Sequence, residues 1–200
     1  MRNKIFIILI LSVILLLIYH RYHFDHMIYI DNFLKEDDLR DLKNHIRNVN
    51  KVKKNSNNLI SKTLNTDIFY KSVYIDKISK LVGKNIYKSN IPIEYRIYNK
   101  SQGMRWHSDI LLYDKPQYEC VYTISNNSDS TTDYIDHWGI KHKVWTKPNS
   151  LMIVRANGYK HGVNPVNKGR REIIKLIYTP TDKINYKNIY SYNNALNGNT

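Results

Sequence analysis

His107, Ser108 and Asp109 close a strand-like stretch that begins near Tyr98. Side chains alternate along a strand with period two, so extended backbone through Ser108 sends His107 and Asp109 to the same side. One imidazole and one carboxylate converging on a point make two of the three ligands of a facial iron site, which keeps positions open for reactants. His161 is placed to be the third ligand. Arg171 follows it by ten residues, across the turn Asn164 to Gly169. A hairpin there returns the guanidinium to the same cavity, and its planar fork matches a carboxylate bidentately. Tyr98, nine residues before His107, offers a hydroxyl to the same anion. Together these residues describe a metal with three protein ligands, His107, Asp109 and His161, and an anionic co-ligand held by Arg171 and Tyr98.

A second His-x-Asp triplet, His23-Phe24-Asp25, abuts an apolar segment and has no strand around it, so it reads as a chance match. His137 and His142 flank Trp138 and Gly139 in a polar insertion; a substrate lip is one reading of it, and surface-loop residues the reading preferred from sequence. Cys120 is the only cysteine, which excludes an internal disulfide and a multi-cysteine zinc site.

The elements that must position these groups are legible to different degrees. With 200 residues, 42% of them hydrophobic, the chain is long and apolar enough for one folded domain. Its net charge of +14 attracts nucleic acid, anionic lipid or acidic substrates without choosing among them. The run Ile5 to Tyr19 is apolar except for Ser12, begins after basic residues and lacks a small-residue cleavage site. Residues 1–26 are therefore expected to form an uncleaved single-pass membrane anchor, with Lys4 and Arg21 reaching the interfaces and the catalytic domain on the lumenal side. His20, His23 and His26 then form a polar collar at the membrane surface.

Residues 27–180 carry the expected domain. Met27 to Ile30 reads as a strand. An acid-led helix follows, with Leu39, Leu42, Ile46 and Val49 as its apolar stripe. Asn48 to Asn58 reads as a loop, and Val73 to Val82 as a second helix closed by Gly83. Ile93 to Tyr98, Tyr118 to Ser125, Lys143 to Trp145, Leu151 to Arg155 and Arg171 to Thr179 read as strands, with a polar loop from Asn126 to Asp136. Residues 181–200, rich in Asn and Tyr, are expected to be a flexible tail. The fold class is mainly β with N-terminal helices, a jelly roll buttressed by two or more helices.

His107-x-Asp109, His161 and Arg171 resemble the iron(II)- and 2-oxoglutarate-dependent dioxygenases, in particular their prolyl 4-hydroxylase-like branch. Ile28 to Leu34 looks like that branch's entry into its first helix. His161 to Val166, with Gly169 and Arg171, looks like its distal-histidine segment. The resemblance covers most of the chain from Met27 to Thr179. It departs at Ser101, where the family often has glycine, and at Met104, where it often has a tyrosine touching the co-substrate.

The resemblance implies a double-stranded β-helix with iron on His107, Asp109 and His161. The far carboxylate of 2-oxoglutarate would lie on Arg171, and ascorbate would keep the iron reduced. The implied reaction hydroxylates a C–H bond, most readily of a protein or peptide side chain, with release of succinate and carbon dioxide. Two alternatives fit the same residues: a nucleic-acid demethylase of the superfamily, suggested by the charge, and a catalytically silent, membrane-anchored jelly-roll binding module.

Overall fold

The structure is a computed structural model and describes residues 2–23, 27–47, 53–54 and 60–197. Its centre is a large antiparallel sheet in the order β1 (Ile28–Ile30), β10 (Ser150–Arg155), β7 (Tyr118–Asn126), β12 (Arg171–Thr179), β5 (Ile93–Tyr98), β3 (Ile60–Leu64) and β2 (Lys53–Lys54). A short strand, β4 (Tyr87–Lys88), pairs with the end of β12. A smaller sheet runs β6 (Met104–His107), β11 (His161–Val163), β8 (Thr132–Ile135) and β9 (Lys141–Val144).

The large sheet is buried on both faces, each for a different reason. Along β12, Ile174, Leu176 and Tyr178 join the main apolar core, while Arg171, Ile173 and Lys175 line a cavity between the two sheets. Strand β5 divides in the same way: Ile93, Tyr95 and Ile97 pack into the core, and Arg96 and Tyr98 face the cavity. Period-two alternation thus separates a dry wall from a chemical one. The dry wall is covered by α2 (Glu36–Arg47) and α3 (Ser72–Val82), which contribute Leu42, Tyr74 and Ile78, all at most 2% exposed. Gly83 ends α3 with φ +66° and returns its N–H to the carbonyl of Ser79, as the sequence predicted.

Several expectations change. Among the described residues no helix is long and apolar enough to cross a membrane, so the spanning anchor expected over residues 1–26 is not supported. Segment α1 (Arg2–His23) is helical and its apolar side chains from Ile5 to Ile18 are exposed. The apolar run from Ile5 to Tyr19, though, rises only about 22 Å against a hydrocarbon layer of about 30 Å. The proposed collar and Val49 fall on residues whose side chains lie outside the described set.

The loop expected at 48–58 contains β2, and β3, β8 and β11 were not anticipated as strands. The tail expected to be flexible contains α4 (Tyr186–Asn197). Ile184, Ile189 and Tyr192 pack this segment against Ile91, Leu112, Tyr113 and Ile177, and Asn188 donates to the carbonyl of Leu111 at 2.7 Å. The turn 164–170 is not a hairpin either: β11 pairs within the small sheet and β12 within the large one, so the turn crosses from one sheet to the other.

Candidate metal centre

Strand β6 carries His107 and strand β11 carries His161, and their antiparallel pairing sets the two residues directly opposite each other. The close approach depends on Gly162. A Cβ there would meet the Met104 carbonyl oxygen at 3.0 Å and the Trp106 nitrogen at 3.3 Å. The imidazole centroids are 4.4 Å apart. Asp109 enters from the chain just past β6, its backbone carbonyl accepting from Asn157 at 2.8 Å. Its Oδ1 lies 3.6 Å from His107 Nε2, and its Oδ2 3.5 Å from His161 Nε2. Among the described residues this is the one cluster of three potential ligands.

The hydrogen bonds fix which nitrogens are available. His107 Nδ1 lies 2.8 Å from the carbonyl of Arg105, and His161 Nδ1 lies 2.9 Å from the carbonyl of Tyr159. A carbonyl only accepts, so each Nδ1 carries the proton and each Nε2 turns a lone pair towards Asp109. Backbone orientation of the far nitrogen is how proteins aim metal-binding histidines. Asp109 Oδ2 is buried without a hydrogen-bond partner. Two imidazole lone pairs and a carboxylate with a spare oxygen fit a divalent first-row metal with further positions open.

The charge states of Asp109 and His161 agree with that reading, whereas at His107 a proton and a metal compete for Nε2. Burial opposes ionisation of Asp109, but its contact with His107 and the nearby Lys175 and His161 outweigh it and hold its pKa well below the usual carboxylate value. Contact with the Asp109 carboxylate raises the pKa of His107. Burial lowers that of His161, which favours the neutral ring.

Arg171 is fully buried, and Tyr98, itself 1% exposed, stands opposite it on β5. Its Nη2 donates to the Thr132 hydroxyl at 3.0 Å, while Nε and Nη1 have no partner. An interior guanidinium with two vacant donors is a socket for an anion. Because the guanidinium and the metal triad line the same cavity, they fit an anion that reaches from one to the other.

All five residues singled out from the sequence therefore line one cavity. Three others there were missed. Thr132 steadies Arg171, and Lys175 forms a buried ion pair with Glu119. Burial pushes the Glu119 pKa up, with Lys175 opposing the rise and Asp109 adding to it. Lys175 was readable: it lies four residues beyond Arg171 on an alternating strand and so shares its face. The serine at a position where glycine is frequent also has an explanation, since Ser101 adopts φ +67°. Glycine enters that left-handed region freely, whereas serine does so under local strain.

No protein-family model matches the sequence, and no curated protein matches it. Solved structures do. A 2OG-Fe(II) oxygenase family oxidoreductase from Burkholderia pseudomallei superposes with TM-score 0.69 at 8% identity, covering 84% of this chain and 90% of its own. A prolyl-4-hydroxylase from Pseudomonas putida gives TM-score 0.60 at 12% identity, covering 78% and 94%. A prolyl hydroxylase from Trichoplax adhaerens, solved with a hypoxia-inducible-factor peptide fragment, gives TM-score 0.61 at 17% identity, covering 77% and 83%. At these identities the likeness is one of fold: the chain has the jelly-roll fold of the 2OG-Fe(II) oxygenases, prolyl hydroxylases among them.

Proposed function

We propose that this protein is an iron(II)- and 2-oxoglutarate-dependent dioxygenase that hydroxylates a C–H bond of a protein or peptide side chain. One observation carries the reading: a buried Asp109 oxygen and two nitrogens of the buried Arg171 guanidinium, all without a hydrogen-bond partner, line one cavity together with two imidazole nitrogens aimed at the carboxylate. In this assignment His107, Asp109 and His161 hold iron(II), and Arg171, with Tyr98 beside it, receives the far carboxylate of 2-oxoglutarate. Bound iron, with 2-oxoglutarate and oxygen, supplies oxidative decarboxylation to succinate and carbon dioxide and the oxidising power for hydroxylation, with ascorbate as a reductant that restores iron(II).

The chain's own residues do the positioning. Thr132 fixes the plane of the Arg171 guanidinium, so the anion is oriented before any chemistry begins. The carbonyls of Arg105 and Tyr159 hold both Nε2 atoms forward. Val121, Val154 and Ile173 line the cavity with side chains that exclude water from between these groups. A peptide substrate is supported by the peptide bound to the Trichoplax neighbour. Prolyl specificity itself is not part of the proposal, because Met104 lines the cavity where the resembling family often places a tyrosine.

Anaerobic binding of iron(II) and 2-oxoglutarate, followed by succinate release on admitting oxygen, tests the reading. His107→Ala and His161→Ala should abolish metal-dependent succinate formation. Undiminished succinate from His107→Ala would refute the site.

A further inference from the structure

The small sheet does more than hold ligands. One rung across it reads His107, His161, Tyr134, His142. The next rung on the same face, Val163, Thr132 and Val144, lies towards Arg171, because Thr132 is the residue that guanidinium bonds. The chain beyond Tyr134 and the chain before His161 therefore both run outward from the metal triad, away from Arg171. They are joined there by the Ile135 N–H to the Lys160 carbonyl at 2.9 Å. A substrate coming to the metal from the side opposite Arg171 must pass this layer.

The layer is a ladder of rings. Tyr134 stacks on His142 at 4.6 Å with planes 16° apart, and lies parallel to Tyr159 at 5.8 Å and 5°. Tyr159 continues to His137 at 6.4 Å and 19°, with His137 Nδ1 3.1 Å from the Tyr159 hydroxyl. Trp138 leans on His137 at 4.6 Å. The tip of the hairpin is fixed as well: Asp136 Oδ1 accepts from the N–H groups of Trp138 and Ile140, both at 2.9 Å, and Oδ2 contacts His142 Nε2 at 2.8 Å. What this framework presents outward is apolar, for Trp138 is 66% exposed and Ile140 55%. Rigid, exposed aromatic and aliphatic side chains of this kind lose little freedom on binding and serve as interface anchors.

We propose that the β8–β9 hairpin tip is the substrate lip, and that Trp138 and Ile140 dock an apolar residue of a polypeptide whose neighbouring side chain enters the metal cavity. This rests on the dioxygenase reading and narrows it. A polypeptide is favoured over a nucleic acid on two grounds. The inner rings spend their faces on one another, so successive bases find no stacking platform. In addition, β9 is an edge of its sheet, and its main chain offers a ladder that only another polypeptide can pair.

The test is selection from a random twelve-residue peptide library on the full-length protein, loaded with iron(II) and 2-oxoglutarate under argon, beside a pool of single-stranded twelve-nucleotide oligonucleotides. Recovered peptides should share an apolar residue at a fixed distance from a common position. They should bind Trp138→Ala at least tenfold more weakly, and Ile140→Ser several-fold more weakly. Both variants should bind 2-oxoglutarate as the parent does, since neither residue lines the cavity. The proposal is overturned if no peptide is recovered, if recovered peptides ignore Trp138, or if only the oligonucleotides bind. Absence of metal-dependent 2-oxoglutarate binding in the parent protein would instead sink the dioxygenase reading, and it is measured separately.

Discussion

Replacing Arg171 by methionine should stabilise the ligand-free protein while crippling it towards 2-oxoglutarate. The guanidinium is fully buried, and Nε and Nη1 have no partner. An unsatisfied buried polar group costs about 1–3 kcal/mol. Methionine is apolar, flexible and close in length, so it removes that cost and leaves little void. The lost bond to Thr132 returns about 1 kcal/mol of the gain. The net expectation is stabilisation by roughly 0–2 kcal/mol, and each kcal/mol moves the melting temperature by about 2–4 °C in a chain of this size. For 2-oxoglutarate the sign reverses. Two charge-assisted hydrogen bonds at about 1.5–3 kcal/mol each are lost, which weakens binding by at least about a hundredfold. Differential scanning calorimetry of the metal-free proteins and anaerobic calorimetric titration with 2-oxoglutarate measure the two effects. A purely structural arginine gives the opposite pair of results, a clear loss of stability with unchanged affinity, and that outcome would refute the assignment.

Metal affinity should rise with pH. A proton on His107 Nε2 competes with the metal, and contact with Asp109 raises that group's pKa, whereas His161 is already held neutral by burial. Binding on the acid side of the ordinary imidazole range should therefore release a proton from His107, seen as a dependence of binding heat on buffer ionisation enthalpy, and proton-free binding there would count against the geometry. Lys175→Met strands Glu119 beside Asp109 and should destabilise the fold by about 3–5 kcal/mol, as breaking a buried pair does. The double variant Glu119→Gln with Lys175→Met should recover most of this in urea unfolding, and failure to recover would show that the lysine acts through packing alone. Deleting residues 182–200 removes the bond from Tyr192 to Glu94 at 3.0 Å and the Asn188 clamp on Leu111, two residues past Asp109. Both thermal stability and metal affinity should fall, whereas a dispensable tail would leave them unchanged.

What the sequence revealed and hid follows from what each strand faces. β12 was legible from Arg171 to Thr179 because Ile174, Leu176 and Tyr178 keep one of its faces apolar beyond Glu172, so the alternation survives two inward charges. β8 was read as loop because its inward residues, Thr132 and Tyr134, face polar chemistry instead of oil, which erases the hydrophobic period. β11 is three residues long, a ligand, a glycine and a valine, too short for any pattern. The three ligands were nevertheless found, since His-x-Asp spacing depends only on extended backbone. The aromatic ladder was not, because Tyr134, Tyr159, His137 and His142 meet only through strand pairing. Helix α4 was hidden by a composition poor in helix formers; its contacts to Leu111, Leu112 and Glu94 are tertiary and leave no local mark.

The charges around the cavity give a further reason to join metal and co-substrate in one site. Lys175 and Glu119 neutralise each other, which leaves Asp109 at −1 and Arg171 at +1, neither fully partnered. A divalent cation alone brings the site to +2, and a dicarboxylate alone brings it to −2. Only the two together return it to zero. In a buried site the free energy of an uncompensated charge is several kcal/mol, so each ligand is the condition under which the other binds well. Linkage requires that help to be mutual. The vacancies at Asp109 Oδ2 and at Arg171 are therefore two halves of one recognition problem: the fold accepts an unpaired anion and an unpaired cation in its interior because the pair of ligands that completes one also completes the other.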